Sequence, residues 1–207
     1  MDEPVASHQL SSSSRASAHH LLLDHACEKC IACEAGWPVW CEQPTPGQAF
    51  CSVPVDLGAV EASGMLMAAS AFLSSEIPSQ AVVLVVAAEG EEAILDLLRL
   101  VHSGTVLLAS DPRDLAVKKQ LAELNGIGRA DVVVSLHSGR NAVLAVKRGG
   151  TVCLPEGVVD MPTVTELAQR EVRVVGPRSI SELVKKVGRL SVEKVFERSC
   201  KGSLQLR

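Results

Sequence analysis

From Ala81 to Pro177 the chain alternates short β-branched runs with segments of helical period, and that alternation limits its fold more than any other feature. AVVLVVAA at 81–88 and ADVVVSL at 130–136 are apolar at consecutive positions, as strands are when both faces of a sheet are covered. TVLLAS at 105–110, TVCLP at 151–155 and EVRVVGP at 171–177 read as further strands. Between the first two runs, EEAILDLLRLVHS spaces Ile94, Leu95, Leu97, Leu98 and Val101 as one face of a helix. RDLAVKKQLAELNG is a second helix that stops at Gly126. GRNAVLAVKRGG reads as a short helix closing on two glycines, and ISELVKKVGRL and VEKVFERSC as closing helices. Strands and helices alternating at this length imply βαβ units, a parallel sheet and right-handed crossovers. The fold class is therefore α/β, a doubly wound Rossmann-like parallel sheet over residues 61–207.

Upstream lies a different composition. Residues 1–20, MDEPVASHQLSSSSRASAHH, are polar and Ser-rich, and too poor in apolar surface to offset the entropy of ordering; they predict a disordered tail. Residues 21–60 form a small lobe that ends in a strand, AFCSVPV, before an Ala/Met-rich helix from about Val60 to Ser75. The lobe holds Cys27, Cys30, Cys33 and Cys41, spaced C-x2-C-x2-C-x7-C. Four thiolates at this spacing can close a tetrahedron around zinc, and four protein ligands leave no position open for water or substrate. The quartet thus predicts a structural zinc. An iron–sulfur cluster is the alternative that the same ligands allow. Disulfides need an oxidising compartment, and the first twenty residues show no apolar signal-peptide core. Cys51, Cys153 and Cys200 are scattered and read as packing residues.

The charge balance excludes some partners. A formal net charge of −4 with no basic run argues against nucleic acid. No apolar run approaches the length that crosses a bilayer, so the expected location is the cytoplasm, with no membrane partner. With aromatics at 2% and no Tyr, the core has to be built from Val, Leu, Ala and Ile.

A four-cysteine lobe followed by a Rossmann-like domain resembles the zinc-dependent alcohol dehydrogenases of the medium-chain dehydrogenase/reductase family. HACEKCIACEAGWPVWCEQP is similar to that family's structural-zinc loop, a remnant of its GroES-like catalytic domain. AFCSVPVDL, EASGMLMAASAFL, VVLVVAAEGEEAILDLLRL, ADVVVSLHSG, KRGGTVCLPEG, REVRVVGP and VEKVFERSCKGSLQLR resemble later blocks in the family's order, so that the likeness covers about residues 20–207. It implies a structural zinc on Cys27, Cys30, Cys33 and Cys41, and NAD(H) as cofactor. It also marks what is missing: a long catalytic domain before the lobe, its Cys and His-Glu zinc ligands, and the Cys that Met67 replaces. A thioether is a poor zinc ligand, so no catalytic residue is assigned. His19, His20 and His25 read as solvated tail residues, and Ser70, Ser135 and His137 are the nearest polar groups for stabilising an alkoxide. The dinucleotide fingerprint G-x-G-x-x-G falls on Ala87, Glu89 and Glu92, with only Gly90 between them surviving. Asp111 follows Ala87 by 24 residues, near the spacing of a ribose-binding acid; an Asp-Pro turn is the other reading. Between Leu121 and Ala130 the family's extra strand and helix are missing, which would expose a sheet edge. The expectation is a truncated, degenerate member with little or no dehydrogenase activity, forming a homo-oligomer or pairing with an intact relative. The alternatives are a minimal NAD(H)-dependent oxidoreductase and a zinc-binding interaction module.

Overall fold

The computed structural model describes residues 18–22, 29–31, 49–54, 57–155, 157–158, 160–177 and 180–204. An antiparallel pair, β1 (Ala18–Leu22) and β2 (Ala49–Pro54), leads into helix α1 (Ala59–Leu73). Strands and helices then alternate: β3 (Val83–Val86), α2 (Ala93–Arg99), β4 (Val106–Ala109), α3 (Leu115–Asn125), β5 (Ala130–Ser135), α4 (Gly139–Ala145), β6 (Val146–Cys153), α5 (Val164–Arg170) and β7 (Arg173–Val175). Helices α6 (Ile180–Val187) and α7 (Arg189–Leu204) follow.

The five later strands form one parallel sheet in the order β4-β3-β5-β6-β7. From β3 the chain moves outward to β4, then returns past β3 to β5. The crevice at the C-terminal ends of β3 and β5 is therefore the topological switch point, where open α/β sheets bind ligands.

Both faces of the sheet are covered, as the continuous apolar runs require. Val83, Val85, Val132, Val134 and Cys153 face a layer made by Met65, Leu66 and Phe72 of α1, Ile94, Leu97 and Leu98 of α2, Leu183 of α6, and Val192 and Phe196 of α7. Leu84, Val86, Val133 and Val152 face the opposite layer, with Leu121 of α3, Ala142 and Val143 of α4, and the half-buried Leu167 of α5. All four residues of β3 are buried, which is why VLVV has no polar alternation. Each such side chain contributes about 1.5–3 kcal/mol by leaving water.

Local signals fix the helix ends. Asp114 caps α3 by accepting from the Ala116 amide at 2.8 Å, and Gly126 ends it with φ 73° in the left-handed region, as the sequence predicts. Thr163 and Glu166 form a reciprocal capping box on α5.

Two expectations need correction. GRNAVLAVKRGG is not one helix: α4 ends at Ala145, and Val146 begins β6. Its glycines serve a register shift against β5 between Ala130 and Val132. A Cβ on Gly150 would meet Val146 Cγ2 at 2.5 Å and the Asp131 carbonyl oxygen at 2.7 Å, so only glycine fits. The tail also ends earlier than residue 20, because Ala18, His19 and His20 lie in β1, opposite Pro54, Val53 and Ser52 of β2. Backbone pairing needs no apolar side chain, and a polar composition conceals it. The remaining tail, residues 1–17, and three of the quartet cysteines, Cys27, Cys33 and Cys41, lie outside the described residues.

Candidate functional site at the switch point

The turn after β3 enters the crevice as Ala88-Glu89-Gly90-Glu91. Gly90 has φ 93°, which an L side chain rarely adopts, and the Glu91 amide closes the turn onto the Ala88 carbonyl at 3.2 Å. This geometry folds the Glu91 side chain back beneath its own turn. Its carboxylate is 11% exposed, and Oε2 accepts from the Ala88 amide at 2.8 Å and from His137 Nε2 at 2.6 Å. The second bond needs Nε2 as the donor, since an ionised carboxylate only accepts. Glu92 Oε1 takes the Gly90 amide at 3.2 Å. A covered carboxylate is costly unless hydrogen-bonded, and Glu91 has both an amide and an imidazole to hold it.

His137 belongs to the turn after β5, with its ring 57% exposed. The same turn begins helix α4. The Ser138 hydroxyl accepts from the Asn141 amide at 3.1 Å as the N-cap and bonds Asp160 Oδ2 at 2.5 Å. Ser135 is buried and donates its hydroxyl to the Ser138 carbonyl at 3.0 Å. Of the three polar candidates for an alkoxide, His137 therefore faces Glu91, Ser135 serves its own turn, and Ser70 is buried on α1.

Asp111 stands just beyond β4. Arg113 donates to it three times, from the amide at 2.9 Å and Nε at 3.0 Å to Oδ1, and from the remaining guanidinium at 3.2 Å to Oδ2. These bonds hold the Asp111 carboxyl below its ordinary pKa and raise that of Arg113. The Asx-type turn and the ion pair thus engage both carboxylate oxygens.

Whether this crevice suits a dinucleotide depends on the turn after β3. A pyrophosphate needs the amides of that turn and the absence of nearby negative charge. Here the Ala88 and Gly90 amides are given to Glu91 and Glu92, and a phosphate seated on them would meet the Glu91 carboxylate at contact, with a repulsion of about 1 kcal/mol or more. The residues present do not fit a pyrophosphate. Of the two acids on the fingerprint positions, Glu92 takes the Gly90 amide and Glu89 is exposed, while the buried acid is Glu91, which the alignment passes over. The signal for Glu91 was in its spacing, since a Glu three residues after an open amide can reach back to it, as in a capping box.

The opposite end of the sheet holds a cleft of about 420 Å³, lined by Ser75, Asp131, Lys147, Gly150 and Arg173 among others. Three of its charged side chains are engaged within the protein. Asp131 accepts from the Val82 amide at 2.6 Å and pairs with Lys147, while Arg173 donates to the Ser75 carbonyl at 2.6 Å.

Among the described residues no three His, Cys, Asp or Glu side chains come together to hold a metal. Cys30 is the member of the quartet that is described, and Met67 is half-buried on α1. Among the described residues no helix is long and apolar enough to cross a membrane.

No protein-family model matches the sequence, and no curated protein sequence matches it significantly. Solved structures do share the fold. An acetophenone reductase from Geotrichum candidum, in complex with NAD, superposes with a TM-score of 0.53 at 14% identity, covering 86% of this chain and 64% of the enzyme. An alcohol dehydrogenase from a Thermus species gives 0.56 at 12% identity, over 90% of this chain and 73% of the enzyme. The alcohol dehydrogenase of Aeropyrum pernix gives 0.52 at 17% identity, over 89% and 73%. The chain thus spans about two thirds to three quarters of the length of these enzymes. The architecture is a Rossmann-type parallel α/β fold with helices on both faces, and it is the fold of these alcohol dehydrogenases. At such identities the likeness is one of fold.

Proposed function

We propose that the chain is an alcohol dehydrogenase-like member of the medium-chain dehydrogenase/reductase family that carries out little or no NAD(H)-dependent hydride transfer. The observation that carries this reading is Glu91, whose carboxylate holds the Ala88 amide at 2.8 Å in the seat a pyrophosphate would need. Met67 supports it, since a thioether stands where the resemblance puts a catalytic-zinc thiolate. A chain with this fold and no turnover acts as a binding or regulatory partner of an intact relative. Its structural zinc, on Cys27, Cys30, Cys33 and Cys41, supplies folding energy to a lobe too small for a core of its own.

Calorimetric titration of the purified chain with NADH tests the reading. No heat of binding at millimolar cofactor is expected. Micromolar affinity would overturn it and favour the minimal oxidoreductase, which Asp111 supports by its place beyond β4. Zinc per chain, measured with each quartet cysteine changed to Ser, tests the lobe: one zinc in the parent and loss in every variant is expected.

A further inference from the structure

The cleft at the N-terminal end of the sheet holds two charges that the fold does not pair. It lies between the loop after α1 and the starts of β5, β6 and β7, and its volume of about 420 Å³ is that of a small-molecule site. Asp131 and Lys147 neutralise each other there, and Asp131 also holds the Val82 amide at 2.6 Å. Glu76 and Arg173 remain. Arg173 gives one guanidinium N–H to the Ser75 carbonyl at 2.6 Å and keeps its other donors. Glu76 follows Ser75 in the chain and lines the same cleft. Though brought to one place, the two do not meet: among the described residues neither belongs to an ion pair.

The backbone at Glu76 favours a cation beside it. Glu76 has φ 52°, in the left-handed region that glycine usually takes just past a helix end. A non-glycine residue is held there at a cost, and such residues gather at ligand clamps. The position also follows the C-terminal end of α1, whose last turn carries no basic residue. Helix dipole and carboxylate therefore act together on a positive group. Ile77, Ala81 and Val132 supply apolar surface in the same cleft.

We propose that this cleft binds a small zwitterion, an α-amino acid with an aliphatic side chain. Its carboxylate takes the remaining Arg173 donors, its ammonium takes Glu76, and its side chain lies on Ile77, Ala81 and Val132. Charge selects a zwitterion over a simple ion. The acids of the lining, Glu76 and Asp131, already balance its bases, Lys147 and Arg173, so a lone anion or cation would leave a charge over. Both recognising side chains are exposed to water, which screens them, so the affinity is expected at about millimolar. The inference concerns the opposite end of the sheet from the Glu91–His137 crevice, and holds whether or not that crevice takes a dinucleotide.

Amide chemical-shift titration of the full chain tests it, with L-leucine, L-valine and L-methionine as probes. Saturable shifts are expected around Glu76, Gly150 and Arg173. Two analogues of leucine separate its poles: 4-methylpentanoate lacks the ammonium and 3-methylbutylamine lacks the carboxylate. Each is expected to bind at least about tenfold more weakly, as losing a charge-assisted hydrogen bond implies. Glu76→Gln and Arg173→Gln should weaken leucine by a similar factor. Arg173→Gln also removes the bond to the Ser75 carbonyl; if it fails to fold, Glu76→Gln, which breaks no ion pair, and the analogues decide. No saturation by any of the three amino acids up to their solubility overturns the proposal. So does 4-methylpentanoate or 3-methylbutylamine binding as tightly as leucine, or an affinity for leucine unchanged by Glu76→Gln.

Discussion

Strand β3 is closed at each end by a carboxylate that accepts a backbone amide and meets a basic side chain. At the foot, Asp131 takes the Val82 amide at 2.6 Å and pairs with Lys147. At the head, Glu91 takes the Ala88 amide at 2.8 Å and bonds His137 at 2.6 Å. Solvent separates the two. Val82 is 7% exposed, so its amide has no water to fall back on, whereas Ala88 is exposed. An unmade hydrogen bond is expensive only where water cannot replace the partner. The foot is therefore a structural lock tying β5 and β6 to β3. The head is a seat held by an internal acid, which can be removed at small cost to the fold.

The largest expected effect is at the foot. Asp131→Ala strands the buried Val82 amide and leaves Lys147 without its partner, costing about 2 kcal/mol. For a chain of this size that lowers the melting temperature by about 5 °C, read by calorimetry. Glu91→Ala is expected to cost about 0.5–1 kcal/mol, because water takes over the Ala88 amide. Native-state hydrogen exchange checks both from the inside, with the Val82 amide slow and the Ala88 amide fast once Glu91 is removed. Equal losses for the two substitutions would break the distinction between lock and seat.

The same physics explains what the sequence disclosed. β3 and β5 were legible because burial on both faces leaves VLVV and the VVV of 132–134 without polar interruption. Gly126 was legible because a helix stop is local. The start of β6 was not, since Val146–Gly150 are set by register with Ala130 and by the closeness of the Asp131 carbonyl, contacts formed only in the folded sheet. β1 was hidden for a related reason: pairing with β2 uses backbone groups that every residue type carries. In the site, Gly90 and the damaged fingerprint could be read, and Glu91 was within reach of a local rule. Its partner His137 lies 46 residues away, and only the sheet order brings the turns after β3 and β5 together.

A smaller effect comes from the surface, where neither lock nor seat is involved. Three exposed carboxyls sit below their ordinary pKa: Asp111 through the Arg113 side chain, Glu166 through the Thr163 amide, and Glu171 through the Arg148 side chain. A folded value below the unfolded one stabilises the native state above the unfolded pKa, and that stability is lost as pH falls through the folded value. Their contribution is thus complete above the ordinary values of 3.8 and 4.5 and declines below them. The urea midpoint should be flat, as far as these groups act, from neutral pH to about pH 5, then fall. Arg148→Gln, which removes the cause at Glu171, should shallow that fall. An unchanged acid limb would remove this pair from the account.

The smallest effect is an expected lack of reaction, and it tests how far water enters the head of the sheet. Cys153 ends β6 fully buried, beside Leu154 at 3% exposure. Burial pushes its thiol up to about 12, against a weak opposing contact with Ser75 Oγ at 3.9 Å. The thiolate is the reactive form, so at pH 8 both charge state and access protect this residue. Iodoacetamide applied to the native chain should leave the Cys153 peptide unmodified, and the same treatment in urea should label it fully, both read by mass spectrometry. Labelling in the native state would mean that the head of β6 opens as the head of β3 does. Openness would then belong to the whole C-terminal end of the sheet, and the Glu91–His137 crevice would lose its standing as a distinct seat.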